Sequence, residues 1–137
     1  MDSEQFRNEL DQFHGTEKYH RHALNRHLVW TDGVLHFARQ AKAFWFIDVI
    51  AVGANGNPGP VPNVIPLDDE FAIVLLEVED RAATIRLYSD TNEYGYYTLD
   101  FLLYEEFIEF TDCPPGTWKF YLERSGDYVV LMLPNER

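Results

Sequence analysis

The chain has a single cysteine (Cys113), three serines and few cations. A lone thiol excludes any disulfide within the chain and fits a reducing, cytoplasmic setting. Long apolar runs are missing as well. The most apolar stretch, Ala43 to Val52, contains Asp48 and falls well short of a membrane span, and Met1-Asp2-Ser3-Glu4-Gln5 has neither the basic nor the apolar region of a signal peptide. No membrane association is expected. Lys and Arg number 11 against 23 Asp and Glu, a net charge of −12. That balance excludes ordinary binding to nucleic-acid phosphates or anionic lipid, both of which need a basic surface.

Enzyme signatures are absent too. Ser3, Ser89 and Ser125 stand outside any nucleophile elbow. The run Gly53-Ala54-Asn55-Gly56-Asn57-Pro58-Gly59 has neither the Lys-Ser/Thr ending nor the following helix of a phosphate loop. There is no internal repeat and no coiled-coil heptad. No cofactor is expected.

What remains is the composition of one folded domain. Of the 137 residues, 46% are apolar, and ten Phe, eight Tyr and three Trp supply large side chains for a core, which excludes disorder. Residues 1–137 read as a single α+β domain in three zones: 1–52 mostly helical, 53–70 a Pro/Gly-rich loop, and 71–137 an antiparallel sheet.

In the first zone Asp2 and Gln5 resemble a capping box, Phe6, Leu10 and Phe13 form one helical stripe, and Gly15 is a natural stop. Residues 17–30 are ambiguous by pattern, with Leu28-Val29-Trp30 a short strand as one reading. Asp32 is the expected N-cap of a helical region from Val34 to Val52, either one long helix or two joined near Ala41-Lys42-Ala43. Four prolines and three glycines then predict that 53–66 is an exposed, poorly ordered connection.

Beyond it the period shifts to two. Strands are expected at Phe71–Glu79, Ala83–Tyr88, Tyr96–Tyr104, Phe107–Thr111, around Trp118-Phe120-Leu122, and Tyr128–Leu133, with turns at Asp80-Arg81, Pro114-Pro115-Gly116 and Arg124-Ser125-Gly126-Asp127. The expectation is an antiparallel sheet of five or six strands, mostly a meander, with the N-terminal helices packed on one face.

Five fragments resemble an uncharacterised family of small bacterial and phage proteins: Phe13-His14-Gly15-Thr16-Glu17-Lys18-Tyr19, Thr31-Asp32-Gly33-Val34, Phe44-Trp45-Phe46-Ile47-Asp48, Thr111-Asp112-Cys113-Pro114 and Leu131-Met132-Leu133-Pro134-Asn135-Glu136. They run in the family's order across nearly the whole chain. The sequence departs from the family pattern at 53–66, at 87–97, and at Cys113, where an aromatic is usual. The resemblance implies genes carried in bacterial genomes and often on phages and plasmids; it implies no activity and no catalytic residue.

The strongest local feature is Leu87 to Trp118, with seven carboxylates (Asp90, Glu93, Asp100, Glu105, Glu106, Glu109, Asp112), nine aromatics including Tyr96 and Tyr104, and no Lys or Arg. Carboxylates without counterions repel one another, and a cationic partner relieves that repulsion. The plain alternative is a solvated face that serves solubility. The expected function is therefore a non-enzymatic interaction protein acting on a basic protein partner. With the resemblance to mobile-element proteins, that partner is a host defence complex that binds nucleic acid (of CRISPR or restriction type), which the chain inhibits without touching nucleic acid itself.

A second candidate is polar. Asp48 lies between Phe44 and Val52 at helical spacing in a wholly apolar stretch, so it is expected to be at least half buried and hydrogen-bonded. Its functional reading is a general acid or base with Glu17, Asp32 or a histidine, in a small enzyme or small-molecule sensor. His20 and His22 share a side if they lie on a strand, the one arrangement among His14, His20, His22, His27 and His36 that suits a metal, although exposed histidines explain them as well; no metal is expected. Cys113 makes a poor nucleophile beside Asp112 and ahead of Pro114.

Overall fold

The computed structural model describes residues 3–13, 18–62 and 71–137. Asp2, Gly15, and the stretch 63–70 of the expected loop lie outside the described residues, as do His14 and Glu17. Among the described residues three α-helices occur: α1 (Ser3–Leu10), α2 (Asp32–Ala41) and α3 (Phe44–Val52). Seven strands accompany them: β1 (Tyr19–Arg21), β2 (Leu28–Thr31), β3 (Phe71–Glu79), β4 (Ala82–Tyr88), β5 (Leu102–Ile108), β6 (Gly116–Ser125) and β7 (Tyr128–Met132). They form one sheet in the order β1-β2-β7-β6-β3-β4-β5.

The protein is thus α+β with a mostly antiparallel sheet, but three details differ from expectation. The first zone is not simply helical: β1 and β2 lie between α1 and α2 and raise the strand count to seven. β2 joins β7 in parallel, Leu28 opposite Val129 and Trp30 opposite Leu131, so the sheet is mixed. Nor is it a plain meander. β3-β4-β5 follow in sequence, but β6 returns beside β3, so β5 is left at one edge and β1 at the other.

The turns obey the local chemistry. Asp80 and Arg81 both take positive φ, 51° and 64°, which is the backbone of a two-residue hairpin turn between β3 and β4. Lys42, at φ 55°, ends α2 and separates it from α3, the two-helix alternative. The N-cap of α2 is Thr31, whose hydroxyl accepts from the Val34 amide; Asp32 is the first helical residue, placed against the positive helix end.

The expected strands Tyr96–Tyr104 and Phe107–Thr111 are replaced by the single strand β5. Aromatic alternation there does not mark a strand from its start, because Leu99–Phe101 instead makes a short 3-10 turn ahead of β5.

Alternate residues of the strands pack the helices against one face. Phe6, Phe37, Phe46, Ile50, Val74, Leu76, Ile85, Trp118, Phe120 and Leu122 belong to one buried cluster. The opposite face carries two smaller clusters made from strand and loop side chains, one around Val29, Val130 and Met132, the other around Ile73, Leu75 and Tyr88.

The described part of the expected loop, 53–62, is ordered rather than loose. Ala54 and Asn57 exchange backbone hydrogen bonds, Pro60 and Val61 are buried, and Asn25 donates to the carbonyls of both Ala51 and Val61. Polar anchors from other segments hold it, a cause that composition alone does not reveal.

Candidate functional site

Strand β5 closes one edge of the sheet, so among the described residues one side of its backbone has no strand partner. Its residues alternate between faces. Glu105 and Phe107 point to the face without helices, and Glu109 and Phe110 continue past its end; Phe107 is 52% and Phe110 61% exposed. The segment leading into β5 is built around Asn92, whose side-chain oxygen accepts from the amides of Tyr94 (2.9 Å) and Tyr96 (3.0 Å). Its backbone N–H donates to the Tyr96 carbonyl, and Gly95 supplies the left-handed residue (φ 83°) that the turn requires. This bracing turns Tyr94 and Tyr96 outward at 75% and 68% exposure, with Leu99 at 83%. Asp90, Glu93 and Asp100 are exposed in the same segment.

Not every carboxylate of the expected set is available. Glu106 is buried: it points to the helix face opposite Ile85 and accepts from the side-chain amides of Asn55 (3.3 Å) and Asn57 (3.2 Å). It therefore ties the 53–62 segment to β5 and is removed from the binding set. Glu105 is exposed but paired across the strands with Arg86 at 2.7 Å, and Arg86 reaches Glu77 at 3.0 Å. The hydrogen bond from Arg86 to Glu105 raises the Arg86 pKa above its ordinary value. Asp112 is exposed and borders a groove that also contains Lys42 and Arg81, so cations stand near it.

Tyr104 faces inward on the same side as Glu106, and its hydroxyl is buried without a hydrogen-bond partner among the described residues. Burial, with a smaller push from the Glu106 charge, lifts its pKa to about 12. Tyr104→Phe removes that orphan group and is expected to raise stability by about 1 kcal/mol. Chemical denaturation checks this; a loss of stability would show that the hydroxyl has a partner.

The polar candidate is assembled differently from expectation. Asp48 is exposed, not half buried, with 62% of its side chain open to solvent. Phe44, Asp48 and Val52 form the outward stripe of α3, and Phe46, Ile47, Val49, Ile50 and Ala51 its buried side. In a helix apolar on all sides the charge marks the wet face, a cue that apolar spacing hides. Asp48 is nevertheless hydrogen-bonded: His22 Nε2 donates to it at 2.8 Å. His22 itself is buried, and its Nδ1 accepts the amides of Leu24 (3.1 Å) and Asn25 (3.2 Å). Two incoming N–H groups on Nδ1 fix the tautomer with hydrogen on Nε2.

Asp32 pairs instead with His20 at 3.0 Å, and the rings of His20 and His22 both lie 6.1 Å from that of Trp30. The structure thus couples each aspartate to its own histidine rather than to the other aspartate. Among the described residues no cluster of three metal-ligating groups occurs. Cys113 is buried, and burial pushes its thiol up to about 12, which leaves it unreactive as a nucleophile.

A family of unknown function, DUF6876, matches residues 4–137, and the chain belongs to that family. No curated protein and no solved structure matches the chain.

Proposed function

We propose that this protein is a non-enzymatic interaction protein that binds a basic protein through the β5 edge and the Asn92-braced segment beside it. The carrying observation is that internal hydrogen bonds hold Tyr94 and Tyr96 out in water beside Asp90, Glu93 and Asp100. Exposed aromatic rings amid uncompensated carboxylates suit an interface with a cationic surface: the rings supply contact area and the charges steer encounter. The free edge of β5 adds backbone donors and acceptors for an incoming strand.

The partner class that best matches such a surface is a nucleic-acid-binding protein, whose groove is already built for negative charge. On that reading the chain occupies the groove and inhibits a host defence complex of CRISPR or restriction type.

The test is affinity capture from a bacterial host at about 50 and about 300 mM NaCl, with wild type beside a Glu93→Lys, Asp100→Lys, Glu109→Lys variant. All three residues are exposed and none forms an ion pair with another described residue, so the variant is expected to keep the fold. A protein retained at low salt by wild type, lost by the variant and displaced by added duplex DNA or RNA is the expected result. Equal retention by both chains would overturn the assignment of this edge.

A second reading rests on the His20–Asp32 pair, which is about one-third exposed on each side and has the makeup of an acid–base couple. His22 does not share that role, since protonating its Nδ1 breaks two backbone hydrogen bonds. In a small enzyme or sensor, His20→Gln would abolish turnover or ligand response while the edge variant above would not.

A further inference from the structure

Residues 18–31 are the inverse of the acidic segment: Lys18, Arg21 and Arg26, with three histidines, and no Asp or Glu. In a chain of net charge −12 this is a run of cations without acids, and the fold places it at the β1 edge, across the sheet from β5. Arg21 stands opposite Val29, and Val29 opposite Val130; Tyr128, two residues earlier on β7, shares that face. Arg21 and Tyr128, together with Arg26, His27 and Asp127, line an open cleft of about 530 Å³. Its size is that of a small-molecule site.

The chemistry of the lining is specific. Among the described residues neither Arg21 nor Arg26 has an ion-pair partner, although the chain has twice as many acids as bases. The His27 Nδ1 lies 2.8 Å from the Asp127 carbonyl, which can only accept, so Nδ1 carries the hydrogen. The ring is held by that bond, and its Nε2 is left to accept a hydrogen bond. Asp127 itself contributes one carboxylate to a cleft otherwise lined by cations and rings.

We propose that this cleft binds a phosphate monoester that also bears hydroxyl groups, in the class of sugar phosphates and nucleoside monophosphates. Two guanidinium forks match a phosphate dianion in charge and geometry. Asp127 disfavours a second phosphate and accepts from a hydroxyl instead. The Tyr128 ring offers a flat apolar wall for the organic part. The site is separate from the β5 edge and does not depend on the function proposed for that edge.

The experiment titrates the whole chain, at about 150 mM NaCl to screen its net charge, with ribose 5-phosphate, AMP, inorganic phosphate and adenosine, monitored by NMR and calorimetry. Ribose 5-phosphate and AMP are expected to bind with sub-millimolar affinity, about tenfold more tightly than inorganic phosphate, and adenosine not at all. Arg21→Gln with Arg26→Gln is expected to weaken the monoesters at least tenfold at an unchanged melting temperature, since both side chains are exposed. Asp127→Asn is expected to weaken the monoesters but not inorganic phosphate. Inorganic phosphate binding as tightly as ribose 5-phosphate would overturn the monoester assignment. Undiminished binding to the double variant, or no binding of any probe at about 10 mM, would overturn the site.

Discussion

Replacing Glu136 with alanine is expected to remove about 3–5 kcal/mol of stability and to lower the melting temperature by roughly 10–15 °C. The residue is a carboxylate, a group ordinarily solvated, yet it is buried. Its carboxylate accepts from the Thr31 hydroxyl at 2.6 Å and from the backbone amides of Gly33 (3.1 Å) and Leu133 (3.0 Å). Gly33 lies in the first turn of α2, so the negative charge also meets the positive end of that helix. Removing it leaves two amides and a hydroxyl buried without that acceptor. The approach is so close that a β-carbon at Gly33 would stand 2.5 Å from the Glu136 Oε1. Thermal melting of Glu136→Ala beside Arg137→Ala checks the assignment; equal, small effects of the two substitutions would overturn it.

This clamp joins two of the sequence fragments quoted above. Thr31-Asp32-Gly33-Val34 and Leu131-Met132-Leu133-Pro134-Asn135-Glu136 lie about a hundred residues apart and meet at one carboxylate. Within Thr111-Asp112-Cys113-Pro114, the Thr111 hydroxyl accepts from the Cys113 amide, and the Pro114 carbonyl accepts from the Trp118 indole. Phe44-Trp45-Phe46-Ile47-Asp48 supplies the core face of α3 and the carboxylate that takes His22. These fragments hold the fold together. Membership of the family, which the match over residues 4–137 shows, points to no chemistry by itself.

The sequence is most legible where local pattern and burial agree. The apolar run Phe71–Glu79 coincides with β3 to the residue, and the alternation of Trp118, Phe120 and Leu122 matches three side chains that are buried. It is least legible where distant segments decide. Nothing local says that Leu28–Thr31 pairs in parallel with a strand a hundred residues later, or that Asn55 and Asn57 bury Glu106. The candidate edge is legible as composition, since charge and aromatics are countable, but which residues face outward depends on strand phase. The register shift between the Tyr88–Leu102 and Leu87–Tyr104 pairs resets that phase at the start of β5, and Tyr104 and Glu106 lie on its inward side. The His22–Asp48 contact has a faint signal in the isolated charge on α3; the basic cleft has one in the acid-free run 18–31.

Trp118→Ala is expected to have an effect as large as that of Glu136→Ala, about 3–5 kcal/mol, by a different route. The indole is 2% exposed and packs against Phe6 (ring centroids 5.3 Å apart) and Phe37 (5.8 Å); Phe37 and Phe46 in turn pack on Phe120. The Arg7 guanidinium lies 4.4 Å from the indole centroid and also donates to the Thr117 carbonyl, while the Ser3 hydroxyl donates to the Pro115 carbonyl. Helix α1 is thus seated on the start of β6 through this side chain, while the Phe6–Phe37 stack (5.6 Å) and the Glu9–His36 pair (3.6 Å) hold it against α2. Eight residues of helix do not persist alone in water, so loss of the seat should release α1 before the sheet opens. Hydrogen exchange at reduced temperature is expected to show α1 amides unprotected in the variant while β3 and β4 amides stay protected. Trp118→Phe keeps a ring in the cluster but loses the bond to Pro114 and part of the indole's packing, so a smaller loss of about 1–2 kcal/mol is expected for it. If α1 kept its protection in Trp118→Ala, the helix would be held by other contacts and the aromatic cluster would not be its seat. Binding at the β5 edge should survive in the variant wherever it is folded, because that edge is built on β4 and the Asn92 turn rather than on α1.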